Sequence, residues 1–169
     1  MFRSAFPIAA ATVLLALGGC EGKAPSPAPS ETADATPENA PGISVGQATV
    51  QLPVIAGRPG AAYFEVSQGS GPPRRIVSVD VAGAGRAELH QTMDSMPGSM
   101  SSMKPVSGVL VEPGKTVRFA PGGMHVMVYD LAPTLKAGDK TELTLTFDNG
   151  DKASVPATVT TVGNAGSAH

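Results

Sequence analysis

The segment "TELTLTF", Thr141 to Phe147, sets Leu143, Leu145 and Phe147 in strict alternation with Glu142, Thr144 and Thr146. A period of two is the pattern of a half-buried β-strand and cannot form the apolar stripe of a helix. The same rhythm recurs in short bursts along the chain, broken by Gly, Pro, Asn and Asp, and no stretch keeps a helical period over three turns. Strands are predicted near 43–52, 61–68, 74–82, 86–92, 107–112, 115–120, 124–131, 141–148 and 152–161. Two tight connections read as hairpins. "VEPGKT" puts Pro113 and Gly114 at the centre of a type II turn, and "FDNGDK" carries Asn149-Gly150. Aromatic residues are few and Trp is absent, but Val, Leu and Ile suffice for one modest core. Many short strands with frequent turns imply an all-β, antiparallel sandwich or barrel of Greek-key type, without internal repeat.

The N-terminus has a different character. "MFRSAFPIAAATVLLALGGC" holds one positive charge, an apolar run too short for a confident membrane span, and small residues before Cys20. Its end, Leu17-Gly18-Gly19-Cys20, resembles the lipobox of bacterial lipoproteins, whose cysteine carries the lipid; the competing reading is an ordinary secretion signal with an incidental cysteine. Residues 1–19 are therefore expected to be a signal peptide, with Cys20 the lipidation site and 20–42 a Pro/Ala/Ser-rich tether. The 22 residues after Cys20 would span about 26 Å as a coil and about 68 Å as extended polyproline II. The globular domain is assigned to 43–162 and a flexible tail to 163–169. The expected location is the periplasmic side of the cell envelope, lipid-anchored to a membrane.

Several classes of chemistry lack the residues they need. The formal net charge is −2 with scattered Lys and Arg, which gives no nucleic-acid footprint. "GVLVEPGKT" imitates a phosphate-binding loop, but five residues separate Gly108 from Gly114 and "TVRFA" continues as a strand. No G-x-S-x-G elbow occurs. Cys20 is the single cysteine, so a lipidated mature chain would have no free thiol for nucleophilic or redox work. Asp148 and Asp151 flank a turn and read as solvating residues. The expectation is a binding protein, not an enzyme, with no nucleic-acid partner, acting as a monomer.

What stands out is a clustering of soft ligands. Two of three histidines (His90, His125) and six of seven methionines (Met93, Met96, Met100, Met103, Met124, Met127) lie between residues 90 and 127. Imidazole with thioether suits copper, Cu(I) above all; Ca²⁺ and Mg²⁺ prefer oxygen and structural zinc prefers thiolate. In "MHVMVYD", His125 and Met127 are two apart on a predicted strand and share a face, while Val126 and Val128 turn to the other. Met124 faces away from His125 and is assigned to packing. Pro97 and Gly98 argue against a helix through "MDSMPGSMSSM" despite the helix-like spacing of its methionines.

These residues resemble the PCu(A)C family of periplasmic copper chaperones, whose pattern is His, ten residues, Met, twenty-one residues, His, any residue, Met. Here twelve residues separate His90 from Met103, twenty-one separate Met103 from His125, and His125-Val126-Met127 closes the pattern. "AAYFEV", "RAELH", "MKPV" and "PGGMHVMVYDL" are similar to the family's flanks. The resemblance implies a cupredoxin-like Greek-key β-sandwich that binds Cu(I), with Cu(II) left open, through His90, Met103, His125 and Met127. The longer first interval keeps Met100 as an alternative to Met103, with Met93 a further reserve. Met93 and Met96 otherwise serve as passing sulfur contacts or loop packing, and His169 is left outside the site. The resemblance further implies delivery toward the Cu(A) centre of cytochrome c oxidase, alongside a Sco-type thiol protein. A blue-copper carrier would need a cysteine ligand in the domain, which has none. Copper sequestration for resistance, and a metal-free module with a methionine contact surface, are the other readings.

Overall fold

The computed structural model describes residues 40–93 and 102–163, and all regular structure among them is β. Eleven strands follow in chain order: β1 (Ile43–Val45), β2 (Ala48–Gln51), β3 (Gly60–Gln68), β4 (Arg74–Val81), β5 (Arg86–Met93), β6 (Ser102–Pro105), β7 (Val109–Val111), β8 (Lys115–Phe119), β9 (Met124–Tyr129), β10 (Lys140–Phe147) and β11 (Lys152–Thr160). They join in the order β6-β5-β9-β8-β3-β2-β11-β10-β4-β7, with β1 added beside β3 and β9 also touching β3. The short strands β6 and β7 end this path, which leaves little unpaired edge for other chains to extend.

Alternation makes the core. β3 buries every second residue along its whole length, and Ala62, Phe64 and Val66 meet Val126 and Val128 of β9, Leu143 and Leu145 of β10, and Phe119 of β8. Phe64 and Phe119, opposite each other on β3 and β8, stack at 4.2 Å. The sheet is mixed and not wholly antiparallel: β11 runs parallel to β2, and β8 touches β9 in parallel through Phe119 and Met124. Those pairings bring together segments that are distant in sequence or joined by an unusual turn, so local turn signals do not encode them.

Two bulges account for further differences. The predicted strand 43–52 is cut between Val45 and Ala48, because Val45 pairs with Val66 whereas Thr49 pairs with Tyr63, leaving one extra residue on the first strand. The insertion moves the buried positions from Ile43 to Ala48 and Val50, so both halves keep their apolar side inward. A second register shift opposite Thr146 and Phe147 leaves Val77 unpaired and 42% exposed between buried Ile76 and Val79.

The two predicted hairpins part company. The β10–β11 hairpin forms, with Phe147 and Gly150 closing a turn and Gly150 at positive φ. Its aspartates do more than stay wet: Asp151 pairs with Arg74 at 2.9 Å, and Asp148 accepts the Arg75 N–H at 3.2 Å, fastening the tip to β4. The Glu112-Pro113-Gly114-Lys115 turn also forms, with Lys115 N–H donating to Glu112 at 3.0 Å and Gly114 at φ 70°. It does not make a hairpin, because β7 pairs with β4 while β8 pairs with β3 and β9. β6, within the methionine segment, is a strand that the sequence pattern does not announce.

Leu145→Ala, at a fully buried position, should lower the unfolding free energy by about 2–5 kcal/mol in urea titrations. Leu110→Ala, at an exposed position of β7, should change it little.

Candidate metal centre

β9 is buried on one side by Val126 and Val128 and presents His125 and Met127 on the other, as its alternation requires. β5 lies antiparallel to it in a register that sets His90 directly opposite His125 and Glu88 opposite Met127. Directly opposed side chains share a face, so these four converge there. β6 then pairs with β5 so that Met103 stands opposite Thr92 and Pro105 opposite His90. Met103, His125 and Met127 together line a hollow of about 300 Å³, bordered by Tyr63, Thr92 and Pro121. The pairing of β5 and β6 thus carries Met103 to the hollow of His125 and Met127, while His90, twelve intervening residues earlier, stands opposite Pro105 outside that lining.

The two imidazole rings lie 5.9 Å apart between centroids, tilted by 39°. They are 8% and 6% exposed, unusual burial for a polar side chain. His125 is oriented by the turn before it. Ala120-Pro121-Gly122-Gly123 closes through a Gly123 N–H to Ala120 bond of 3.1 Å, with Gly122 at φ 80°, where a side chain would be strained. The Gly123 carbonyl at the end of this turn accepts His125 Nδ1–H at 3.0 Å, which leaves Nε2 with the lone pair. His90 Nε2 lies 3.3 Å from Glu88 Oε2, while its buried Nδ1 has no hydrogen-bond partner among the described residues. Such an unmade bond costs about 1–3 kcal/mol unless something else meets the lone pair.

Around the candidate ligands runs a charged and aromatic margin. Arg86 Nη1 pairs with Glu88 Oε1 at 3.1 Å and its guanidinium lies 4.1 Å over the Tyr129 ring. The Tyr129 hydroxyl reaches Met127 Sδ at 3.7 Å. The hydrogen bond from His90, reinforced by the charge of Arg86, holds the Glu88 carboxyl below the usual glutamate range against a smaller opposing effect of burial. Burial first, and then the Glu88 charge, push the Tyr129 phenol up, so it stays protonated and able to donate. Among the described residues no three His, Cys, Asp or Glu side chains gather as for a metal ion. The donors that the β5, β6 and β9 pairings bring to this face are two imidazoles and two thioethers, a soft set.

Met93 and Met124 stand apart from the site. Met93 follows Thr92 on β5 and so alternates to the opposite face from His90, exposed at the strand end. Met124 packs against the core, as expected. Met96, Met100, Cys20 and His169 fall outside the described residues. Sequence inspection passed over Glu88, Arg86 and Tyr129. The signal was present, since "RAELH" and "MVY" place each of them at even spacing from a candidate ligand.

Residues 43–159 match the family described as "Putative lipoprotein LpqE-like". The chain belongs to this family. A relative, "Putative lipoprotein Lxx21020" of Leifsonia xyli subsp. xyli, is 30% identical over 151 residues, covering 88% of this chain and 85% of the relative. "Uncharacterized protein RP573" of Rickettsia prowazekii is 30% identical over 89 residues, 53% of this chain and 49% of its own. Among solved structures, the LpqE-like domain resembles the copper-bound PCuAC domain from PmoF2, with TM-score 0.60 and 20% identity over 74% of this chain and 97% of that one, a likeness of fold. It also resembles the solution structure of Cu(I)-bound DR1885 from Deinococcus radiodurans, with TM-score 0.56 and 28% identity over 78% and 85% of the two chains. The cupredoxin-like all-β architecture expected of the sequence is the one the LpqE-like chain adopts.

In carboxyl-detected NMR titrations Glu88 should titrate below ordinary glutamates, and Arg86→Ala should raise it only part of the way, since the His90 contact remains. A Glu88 with an ordinary titration would refute the contact. Because the folded value is lowered, its small contribution to stability is present above the ordinary glutamate range and is lost as pH falls through the lowered value.

Proposed function

We propose that this LpqE-like protein is a copper carrier of the PCu(A)C type, which holds Cu(I) through His90, Met103, His125 and Met127. The reading rests on one observation above all: the β5–β9 register puts two buried histidines face to face, and one of them, His125, lines a hollow together with Met127 and Met103. The similarity to Cu(I)-bound DR1885 at 28% identity supports it. Its role is binding and release, not catalysis.

The donor set suits an extracytoplasmic carrier. Thiolates are lost to disulfides in oxidising compartments, whereas thioethers bind copper without shedding a proton. Methionine remains open to sulfoxide formation under stress. Four neutral ligands leave the ion's single charge uncompensated, so an incoming thiolate is a strong competitor. Met103 is 57% exposed and is the donor most accessible to exchange. That exposure favours hand-over above storage. The lipoprotein description of the family supports a signal peptide over 1–19, lipidation at Cys20 and a tether to residue 42 that holds the 43–162 domain off a membrane. The proposed destination is the Cu(A) centre of cytochrome c oxidase, with a Sco-type thiol protein as co-worker and the carrier acting as a monomer.

The purified protein should bind about one Cu(I) in competition with a chromophoric chelator. His125→Ala or Met127→Ala should weaken binding at least about 100-fold, and full affinity in both variants would refute the site. Affinity should also fall below about pH 6, because protons compete with copper for the imidazole nitrogens. A constant affinity down to pH 5 would mean a methionine-only site. Deleting the gene should lower oxidase activity at limiting copper, whereas unchanged activity would favour sequestration.

A further inference from the structure

We infer that Glu88 is a positioning residue of the copper site, fixing His90 so that it binds the metal through Nδ1 while His125 binds through Nε2. The inference rests on the copper reading above and extends it to the atoms that carry it. A neutral imidazole has one N–H and one lone pair, and a carboxylate can only accept. With His90 Nε2 3.3 Å from Glu88 Oε2, the proton belongs on Nε2 and the lone pair on Nδ1. That Nδ1 is buried, in a side chain itself 8% exposed, and meets no hydrogen-bond donor among the described residues. Across the strand pair His125 has the reverse arrangement, because the Gly123 carbonyl takes its Nδ1–H at 3.0 Å. One carboxylate and one carbonyl therefore lock two opposed histidines in opposite tautomers.

Glu88 is itself held from its other oxygen. Arg86 takes Oε1 at 3.1 Å and lies flat on Tyr129, whose hydroxyl reaches Met127 Sδ at 3.7 Å. Glu88 also stands directly opposite Met127 in the β5–β9 register. One connected group of side chains thus touches both a histidine and a methionine of the proposed ligand set. As a surface ion pair, Arg86–Glu88 would add little to stability. As a partner of a ligand histidine, a carboxylate fixes the ring and raises its basicity, and loss of such a partner typically weakens metal binding 10–100-fold.

The test labels the histidine ring nitrogens of the full chain with ¹⁵N and records long-range ¹H–¹⁵N spectra at pH 8, without metal and with Cu(I), which is diamagnetic. Metal-free His90 should carry its proton on Nε2 and His125 on Nδ1. Cu(I) should then shift His90 Nδ1 and His125 Nε2. Glu88→Ala should lower Cu(I) affinity about 10–100-fold without lowering the melting temperature appreciably. Glu88→Gln, whose carboxamide oxygen accepts the same N–H, should recover most of the loss. A His90 proton on Nδ1, a Cu(I) shift at His90 Nε2, or an unchanged affinity in Glu88→Ala would overturn the positioning role while leaving copper binding intact. Failure of the wild-type chain to bind Cu(I) would instead remove the copper reading, and this inference with it.

Discussion

A β-strand has two faces, and β9 gives each a separate task. Val126 and Val128 are sealed in the core, and the residues between and beside them, His125 and Met127, point to the far side. Because the period is two, neither task can be altered by a one-residue slip without exchanging them, which would expose the valines and bury the candidate ligands in hydrocarbon. The core therefore enforces the register that makes the site. The same register fixes β5, whose Leu89 is buried while Glu88 and His90 face their partners on β9.

Burial gives this site its character. Two imidazoles nearly withdrawn from water must have their nitrogens met: His125 Nδ1 is met by the Gly123 carbonyl and His90 Nε2 by Glu88, while the buried His90 Nδ1 has no hydrogen-bond partner among the described residues. The fourth, His125 Nε2, belongs to a side chain that borders the hollow with Met103 and Met127. Buried histidines on the paired strands β5 and β9, combined with an exposed methionine on the end strand β6, give the proposed centre a covered side and an open side. That asymmetry supports the proposed hand-over of copper by ligand exchange.

Much of this is legible along the chain, and the failures have physical causes. Strands appear where alternation is clean, as in "TELTLTF", and break where a bulge changes the phase of burial, as at Gly46-Gln47. The Pro113-Gly114 turn is local chemistry and forms as read; whether its flanking strands pair is a question of which sheet captures β7 and β8. The short strand Ser102–Pro105 has no apolar alternation and every residue of it is exposed, so its extended form comes only from pairing with β5. Glu88, Arg86 and Tyr129 look like ordinary surface residues until the register places them around His90 and Met127.

The sequence by itself determined the class of fold, through its period of two, and the class of ligand, through imidazoles and thioethers gathered in one window without a thiol. Both are properties of residue type and spacing, which are local. Tertiary structure alone decided that His90 meets His125, that Met103 and not Met93 shares their face, and which nitrogen of each ring is hydrogen-bonded to Glu88 or Gly123. Those outcomes depend on strand register, on a strand from the methionine segment and on hydrogen bonds to a carboxylate and a turn carbonyl. No local pattern encodes them, because each is settled by the one packing of the core that buries its valines and leucines together.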